Sequence, residues 1–540
     1  MLALFSFVTG VVIGAGHVPG EQKTVEAFAK AWQQGDYARM RTKLSADLQR
    51  QYDAGALSAR YASAAETATS RSLTIGKPRK ADDHAYVIPV VAHTQSFGDV
   101  KGTVRVPLSG DGDEARIEWT PAMTFPGLRG SDELSRSTTL GKRGTLLARD
   151  NTHVDSSIQG SLGPIPPELA AQYRAAGYPD DAQIGISGLE KIFERRLAGT
   201  PGGQLRAGGQ ILAQKAPVDG KDVRTTISPP VQQAAVAALG SRLGGVIAMN
   251  PQTGEVLGAS GIAFSGLQPP GSTFKMITAS GALQDGLASL SSTYPYGSGA
   301  LLSGVELKNA NGEVCGGTLL QAFAVSCNSV FAPLGAKLGA KRLVSIAERF
   351  GFNKPSPIPG AAVSTIPSAA EIGDDLAVGS SAIGQGRVQA TALQMAIVAA
   401  TIGLGGRLPA PHLDYQANAK ERRGARAINA KTARDMRRMM VEVVRNGTGV
   451  AAAIPGVIVA GKTGTAELRQ TQGCDTATAD NPEQCSDPND PSDTDAWFAA
   501  FAPSRKPKVA VGVMLVGSGA GGQTAAPAAR GVIEEALRRS

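Results

Sequence analysis

Segments with the pattern of β-strands stand at both ends of residues 226–540, and helical patterns fill the stretch between them. At the start, two apolar runs flank Asn-Pro-Gln-Thr-Gly within residues 244–260, which is typical of a β-hairpin. Near the end, further apolar runs cover residues 456–467, 496–503 and 508–517. Strands from both ends of a domain can complete one sheet. We therefore predict an antiparallel sheet covered by helices.

The first residues form a short uncharged segment. Residues 2–15 carry no charged side chain, and as a helix they would measure about 21 Å, against about 30 Å for the hydrocarbon core of a bilayer. No basic residues precede them, as they would in a signal peptide. We interpret residues 1–18 as a membrane anchor or signal segment, with a buried core helix as the alternative. Either export interpretation places the rest of the chain outside the cytoplasm.

Two smaller domains are expected before the large one. Residues 19–125 open with a helical pattern over residues 24–40 and end in runs that alternate between apolar and polar side chains. This order predicts a helix packed on a curved antiparallel sheet, with a pedestal or binding role. Residues 126–225 read as a linker domain, in which residues 188–198 predict one amphipathic helix that stops at Gly199.

The composition excludes several classes of function. The 540 residues include 54 Lys and Arg against 46 Asp and Glu, and this net charge of +8 is too dilute for nucleic-acid binding. It suits an anionic membrane or cell wall, and equally a solvated surface without a partner. The five histidines and four cysteines form no Cys-x-x-Cys or His-x-x-x-His motif, so the sequence supports no metal site and no cofactor.

Three short polar motifs in the large domain hold the candidate catalytic residues. They are Ser272-Thr273-Phe274-Lys275, Ser326-Cys327-Asn328 and Lys462-Thr463-Gly464-Thr465. No other serine stands three residues before a lysine, no other serine stands two before an asparagine, and Lys-Thr-Gly occurs once. Each motif alone has an ordinary explanation, as a helix cap, a helix start or a strand turn. Together they predict one catalytic site.

A serine hydroxyl needs a base before it becomes a good nucleophile. Ser272 follows Pro-Pro-Gly, which predicts a helix start, and Lys275 three residues later lies on the same helix face. The domain has one histidine, His412, far in sequence from every motif, so Lys275 is the candidate base. A lysine serves as a base only when burial or a second cation lowers its pKa toward neutrality. Lys462, on an edge strand facing the helix, can supply that cation.

On these motifs the sequence resembles a class B penicillin-binding protein. Residues 381–402, 444–452 and 521–527 extend the likeness. Residues 27–40 are similar to the nuclear-transport-factor-like domain of methicillin-resistance-type penicillin-binding proteins, and residues 185–199 are similar to their linker domain.

The resemblance implies a multidomain α+β chain. Residues 19–125 would form the N-terminal helix-plus-curved-sheet cone domain, and residues 126–225 an extended linker of the dimerisation type. Residues 226–540 would form a penicillin-binding/serine-β-lactamase-like transpeptidase domain, in which an antiparallel five-stranded sheet is covered by helices.

The resemblance also implies roles for the polar residues. Ser326 would relay a proton to the leaving amine, and Asn328 would hold Lys275 and the substrate amide. Backbone N–H groups of Ser272 and Thr465 would form the oxyanion hole.

The third motif would bind the carboxylate of the substrate. Lys462 supplies positive charge, and the hydroxyls of Thr463 and Thr465 can donate hydrogen bonds on either side of Gly464.

The implied reaction is peptidoglycan D,D-transpeptidation through a serine acyl-enzyme, which β-lactam antibiotics also form. Its partners would be stem peptides on a lipid-linked precursor and a membrane glycosyltransferase. The resemblance implies a cell-membrane protein with a single N-terminal anchor and an extracytoplasmic catalytic domain.

Three alternatives share some of these features. A D,D-carboxypeptidase uses water as the acceptor and has the same motifs. A serine β-lactamase would need a deacylating glutamate in a Glu-x-x-Leu-Asn loop, which residues 353–375 lack. A non-enzymatic β-lactam sensor would need a cytoplasmic signalling domain and further spans, and the sequence predicts neither.

The cysteines and one acidic segment complete the sequence predictions. Cys474 and Cys485 bracket a short polar stretch, so we predict a disulfide between them. Cys315 and Cys327 are candidates for a second disulfide that would brace the active-site rim, with two free buried thiols as the alternative. Residues 468–494 are acidic and predict either a solvated loop or a rim element that affects substrate or partner binding.

Overall fold

The computed structural model describes residues 18–415, 423–467 and 491–539. Nearly all of the expected anchor, residues 1–17, therefore lies outside the described residues, as do residues 468–490 of the expected acidic loop. Within the described part of the chain, no helix combines the length and the apolar character needed to span a bilayer.

The chain forms two compact units. The first comprises the residues up to Gly144 together with Leu162–Ile184 and Glu194–Lys221. The second comprises Thr145–Ser161, Gly185–Phe193 and the residues from Asp222 onwards.

The first unit opens with a layer of helices. The sequence predicted one helix over residues 24–40, but the structure breaks it at Gly35, which has a left-handed φ of 67° and ends the first helix. Asp36 then caps the next helix by accepting a hydrogen bond from the Arg39 N–H. The helices are α1 (Gly20–Gln34), α2 (Tyr37–Arg41), α3 (Ala46–Gln51) and α4 (Ala54–Thr67).

An antiparallel sheet follows these helices. Its strands are β1 (Ser70–Ile75), β2 (Arg79–Asp82), β3 (Ala85–Thr94), β4 (Gly98–Ser109) and β5 (Arg116–Ile117), in the order β1-β3-β4-β5 with β2 also paired to β3. Along β4, Val104 and Val106 are buried while Arg105 is exposed. This alternation places one face of the sheet on the core that Phe28 and Trp32 of α1 also enter.

The linker region is made of short elements. The predicted single helix over residues 188–198 is wrong, because Phe193 leaves the helical region with φ −104° and ψ 11°. The Glu194 carboxylate then reaches the Arg143 guanidinium at 2.7 Å. In chain order the elements are β6 (Leu134–Thr139), β7 (Leu146–Leu147), α5 (Ser156–Gln159), β8 (Leu162–Pro164), α6 (Pro167–Ala175), β9 (Gln183–Gly185), α7 (Gly188–Ile192), α8 (Glu194–Leu197), β10 (Gly202–Ala207), β11 (Gln210–Lys215) and β12 (Val223–Arg224).

In the rest of the second unit, most helices lie in sequence between the first two and the last three strands of one five-stranded sheet. The first elements are α9 (Pro229–Leu239), β13 (Gly244–Met249), β14 (Val256–Gly261), α10 (Lys275–Gln284), β15 (Thr293–Gly297), β16 (Gly299–Leu302), β17 (Val305–Lys308) and β18 (Cys315–Thr318). The next are α11 (Leu319–Ala324), α12 (Asn328–Leu338), α13 (Ala340–Arg349), α14 (Ala369–Ile372), α15 (Asp375–Ala382), α16 (Ala392–Gly403), β19 (Arg407–Pro409) and β20 (Arg423–Arg426). The last are α17 (Ala430–Asn446), β21 (Ala460–Glu467), β22 (Thr494–Ala502), β23 (Val509–Leu515) and α18 (Ala525–Arg538).

The main sheet confirms the predicted architecture. Its five strands follow the order β14-β13-β23-β22-β21, and every neighbouring pair is antiparallel. Helices α9 and α18 pack on one face, where Val246 and Val513 share a core with Val532. On the other face α16 lies so close that a Cβ on Gly512 would be 2.1 Å from the Ala392 carbonyl oxygen. Both faces of the sheet are therefore covered, and β21 is left as an edge strand.

Candidate active site

The serine of the first motif lies on a turn just before a buried helix. Gly271–Phe274 form a 3-10 turn, and α10 begins at Lys275. Gly271 has a left-handed φ of 50°, and a Cβ there would lie 2.6 Å from the Thr465 carbonyl oxygen. The turn therefore packs directly against β21, and only a glycine leaves room for this contact. Ser272 is half-buried beside that strand.

The amine of Lys275 is fully buried among oxygen atoms. Its Nζ lies 2.9 Å from Ser272 Oγ, 2.6 Å from the Ser326 carbonyl oxygen and 2.6 Å from Asn328 Oδ1. Burial lowers the pKa of Lys275 well below its usual value, and the charge of Lys462 lowers it further. In its neutral form the amine has a lone pair for the Ser272 proton and two N–H groups for the other two oxygens.

Lys462 brings a second amine to the same place from the edge strand. Its side chain is also fully buried, and burial lowers its pKa to about 7. Its Nζ donates hydrogen bonds to Ser326 Oγ at 2.8 Å and to the Thr463 carbonyl oxygen at 3.1 Å. Ser326 Oγ is also 3.3 Å from the Nζ of Lys275. The Ser326 hydroxyl therefore bridges the two lysines, which is the arrangement a proton relay requires.

Ser326 has an unusual backbone conformation. Its φ is 68°, in the left-handed region that residues other than glycine rarely adopt. The Ser326 N–H donates to the Phe323 carbonyl oxygen at 3.2 Å, and the Cys327 N–H donates to Ala322 at 2.9 Å. These bonds close the turn between α11 and α12. The turn aims both the carbonyl and the hydroxyl of Ser326 at Lys275, an arrangement that costs roughly 1–3 kcal/mol of backbone strain.

Asn328 is held by a residue that the sequence did not predict. Its Nδ2 donates to the Lys308 carbonyl oxygen at 2.9 Å. With this donor occupied, the Oδ1 of the same amide faces Lys275. Lys308 ends a short strand without a recognisable motif, so the sequence carried no signal for its role.

A disulfide joins the second motif to a neighbouring strand. It links Cys327, which is completely buried, to Cys315 at the start of β18, with 5.8 Å between the Cα atoms. The other expected pair, Cys474 and Cys485, lies outside the described residues.

The Thr463 hydroxyl of the third motif lies beside a threonine from outside the motif, Thr448. Thr463 Oγ1 lies 2.5 Å from Thr448 Oγ1. The Thr448 N–H donates to the Ala324 carbonyl oxygen at 3.1 Å. Thr448 belongs to residues 444–452, which contributed to the family resemblance although the sequence assigned them no function.

Close backbone contacts surround the glycine of the same motif. A Cβ on Gly464 would lie 2.7 Å from the Pro270 carbonyl oxygen. A Cβ on Gly521 would lie 2.2 Å from the Gly464 carbonyl oxygen, and the Gly521 N–H donates to Thr465 Oγ1 at 3.3 Å. A side chain at Gly464 would push the strand away from the Ser272 turn, and a side chain at Gly521 would collide with the backbone of the same strand.

His412, the one histidine of residues 226–540, stays apart from these contacts. His412 pairs with Glu255 in an isolated bridge, and its Nδ1 is 3.3 Å from the Ala410 carbonyl oxygen. Among the described residues, no three His, Cys, Asp or Glu side chains are grouped as a metal site requires. The site therefore presents two amines, two serine hydroxyls and an amide for chemistry.

Models of three domain families match the chain. A penicillin-binding protein transpeptidase domain matches residues 244–534. A penicillin-binding protein dimerisation domain matches residues 123–225, and an NTF2-like N-terminal transpeptidase domain matches residues 20–132.

Curated proteins similar to this chain are also named as transpeptidases. Peptidoglycan D,D-transpeptidase PbpA of Mycolicibacterium smegmatis is 32% identical over 439 residues, which cover 70% of this chain and 83% of that protein. The protein of the same name from Mycobacterium tuberculosis is 34% identical over 416 residues, covering 64% of this chain and 76% of that protein.

Solved structures of transpeptidases are also similar to this chain. The D,D-transpeptidase domain of a peptidoglycan glycosyltransferase from Eggerthella lenta is 27% identical, with a TM-score of 0.58 over 74% of this chain and 98% of that one. The penicillin G acyl-enzyme complex of penicillin-binding protein A from M. tuberculosis is 26% identical, with a TM-score of 0.55 over 73% and 99% of the two chains. The chain thus belongs to the penicillin-binding protein transpeptidase family, as a class B member with an NTF2-like N-terminal domain.

Proposed function

We propose that this protein is a peptidoglycan D,D-transpeptidase in which Ser272 is the nucleophile and Lys275 is its general base. The observation that carries the proposal is the 2.9 Å contact between the Ser272 hydroxyl and an amine whose pKa burial has lowered. A neutral amine at this distance can take the hydroxyl proton as Oγ attacks a carbonyl carbon.

The first half-reaction forms the acyl-enzyme. Ser272 Oγ bonds to the carbonyl carbon of the penultimate D-Ala of a stem peptide, and its proton passes to Lys275 Nζ. The backbone N–H groups of Ser272 and Thr465 stabilise the oxyanion, a contribution worth about 10²–10³ in rate for each donor. The carbon–nitrogen bond then breaks, and the leaving amine of D-Ala takes a proton from the Ser326 hydroxyl. The protonated Lys275 amine, 3.3 Å from Ser326 Oγ, replaces that proton and so becomes neutral again before the second half-reaction.

The second half-reaction transfers the acyl group. The amine of a neighbouring stem peptide attacks the ester carbon, gives up a proton to Lys275, and becomes an amide. The Ser272–acyl bond breaks, and Ser272 regains its proton. The net result is one cross-link and one free D-Ala.

The terminal carboxylate of the substrate fits the third motif. The Lys462 amine supplies positive charge, and the Thr463 and Thr465 hydroxyls supply donors. Because β21 is an edge strand, an extended peptide can lie along it and pair with its free backbone groups. A β-lactam carries a comparable carboxylate and would acylate the same serine.

Product analysis with a stem pentapeptide and an acceptor amine tests this function. We expect equimolar free D-Ala and cross-linked product from the wild type and neither product from Ser272→Ala. Release of D-Ala with only hydrolysed tetrapeptide would identify a carboxypeptidase instead. Rapid repeated hydrolysis of a chromogenic cephalosporin, rather than one stoichiometric burst, would identify a β-lactamase.

We propose further that residues 1–18 anchor the protein in the cell membrane, with the catalytic domain outside the cytoplasm. The support is the uncharged run of residues 2–15. The matched domain models describe transpeptidase, dimerisation and NTF2-like units, so we expect a separate membrane glycosyltransferase to make the glycan strands. Full-length protein should sediment with membranes after alkaline washing; recovery in the soluble fraction would contradict the anchor.

A further inference from the structure

A buried asparagine next to the second motif has no role in the chemistry above. Asn309 follows β17 and is only 6% exposed. Its side-chain amide uses both of its polar atoms on backbone groups. Oδ1 accepts from the Ser329 N–H at 2.8 Å, and Nδ2 donates to the carbonyl oxygens of Gly297 at 2.8 Å and Glu313 at 2.7 Å.

The bond to Ser329 caps the helix that carries Asn328. The first N–H groups of a helix have no partner inside the helix. Cys327, the N-cap residue of α12, makes no side-chain hydrogen bond to the first turn. Asn309 supplies the missing acceptor from another segment, and so fixes where the first turn of α12 lies.

The neighbouring residue fixes the side chain of Asn328. The carbonyl oxygen of Lys308 accepts from Asn328 Nδ2 at 2.9 Å, and this leaves Asn328 Oδ1 facing the Lys275 amine at 2.6 Å. Without that acceptor the amide could rotate and point its own N–H groups at the lysine. The Lys308–Asn309 segment therefore orients both the backbone and the side chain of the second motif.

A covalent link holds the same segment further along. Cys315 lies six residues after Asn309 and is bonded to Cys327. The two residues that flank Asn328 are thus held by one short stretch of chain: Cys327 through the disulfide and Ser329 through the Asn309 amide. A displacement of the stretch would move Asn328 and the left-handed turn at Ser326 together.

We propose that Asn309 is a positioning residue for acyl transfer, which holds Asn328 against Lys275 through the start of α12. The proposal rests on the function proposed above. Misplacement of a reacting group by about 1 Å can lower a rate by about 10²-fold even when the changed residue does not touch the substrate. Loss of Asn309 should therefore slow acylation with little effect on penicillin binding before reaction.

The test measures stopped-flow acylation of the full chain by a fluorescent penicillin, which separates the first-order acylation constant from the dissociation constant of the non-covalent complex. For Asn309→Ala we expect the acylation constant to fall about 10- to 100-fold, with the dissociation constant changed less than about threefold.

A matched control comes from the same unit. Asn353 makes the same type of bidentate tie, with its amide bonded to the N–H of Ile366 at 3.0 Å and to the carbonyl oxygen of Ile366 at 2.9 Å. Asn353→Ala should lower the melting temperature, as Asn309→Ala does, but leave the acylation constant within about twofold of wild type. Equal acylation constants in the two variants would overturn the proposal.

A second variant covers the case in which Asn309→Ala does not fold. Asn309→Asp is nearly isosteric and keeps an acceptor for the Ser329 N–H, but it loses the donors to Gly297 and Glu313. We expect a several-fold lower acylation constant, and a wild-type value would contradict the proposal. If the wild type itself forms no adduct at Ser272, the proposed function fails, which is distinguishable from failure of the positioning role.

Discussion

The two large sheets of the molecule differ in how much of their surface is buried. In the sheet of the first unit, β4 alternates between buried valines such as Val104 and exposed residues such as Lys101 and Arg105. In the sheet of the second unit, all residues of β13 and β23 are buried, because helices cover both faces. A half-exposed sheet lets its lysines stay in water. An enclosed sheet and its covering helices can keep Lys462 of β21 and Lys275 of α10 out of water, and that burial lowers both pKa values.

The largest expected effect contrasts a buried lysine with an exposed one. Lys275→Met keeps most of the length of the side chain but removes the amine that acts as the base, so the penicillin acylation rate should fall about 10²- to 10⁴-fold. Lys101→Met, on the open sheet, should leave the rate unchanged. The measurement is adduct formation over time at pH 7.5. Comparable rates in the two variants would mean that the proton goes elsewhere.

A substitution in the core of the first unit should lower stability without changing the acylation rate. Phe28 is fully buried against Trp32 and Ile88 in a core formed by the first unit's own residues. Phe28→Ala should lower the free energy of unfolding of that unit by about 3–5 kcal/mol, as measured by denaturant titration. The acylation rate of folded protein should be unchanged. A slowed rate would show that the first unit contributes to the site.

The pH dependence of stability should reveal the cost of burying Lys462. Its pKa is about 7 when folded and near 10.5 when unfolded, so the unfolded chain binds more protons between these values. This group therefore makes stability rise as the pH increases from 7 to about 10. Lys462→Met removes this term and should raise stability by roughly 2–4 kcal/mol at pH 7, with little gain at pH 10. An equal gain at both pH values would contradict a depressed pKa. Because Lys462 Nζ also contacts Ser326 Oγ, the rate of acylation of this variant by penicillin should be lower than that of the wild type.

A smaller effect is expected from a buried carboxyl at the start of β22. Asp495 is fully buried, its Oδ1 accepts from the Gly517 N–H at 3.0 Å, and no described residue hydrogen-bonds its Oδ2. Burial raises its pKa to about 6, so stability from this group is lost as the pH rises from about 4 through 6. Asp495→Asn should be about 1–2 kcal/mol more stable than wild type at pH 7.5 and no more stable at pH 4.

The open sheet supplies the control for this prediction. Asp99 lies on β4 as an exposed residue paired with His93 at 2.8 Å. Asp99→Asn should change stability by less than about 0.5 kcal/mol at pH 7.5. A gain equal to that of Asp495→Asn would show that the effect does not come from burial.

Much of the fold could be predicted because its signals are local. The hairpin around residues 250–254 and the late apolar runs predicted the main sheet, and the structure confirms it. The helix over residues 24–40 was wrong because one glycine, Gly35, took a left-handed conformation in the middle of an otherwise helical pattern.

The sequence predicted the residues of the three motifs, but not the residues that hold them in place. Ser272, Lys275 and Lys462 stood out because their motifs are unique in the sequence. Asn309 and Thr448 did not, because their importance depends on which backbone or hydroxyl group they meet after folding. No periodicity or spacing encodes a hydrogen bond between residues 309 and 329.

The most direct test of the account is intact-protein mass spectrometry after incubation with benzylpenicillin, followed by peptide mapping. The account predicts one penicilloyl group per chain, located on the peptide that contains Ser272, and no adduct on Ser272→Ala of the same fold. A persistent adduct on the variant, or an adduct mapped to another residue in the wild type, would contradict the assignment of Ser272 as the nucleophile.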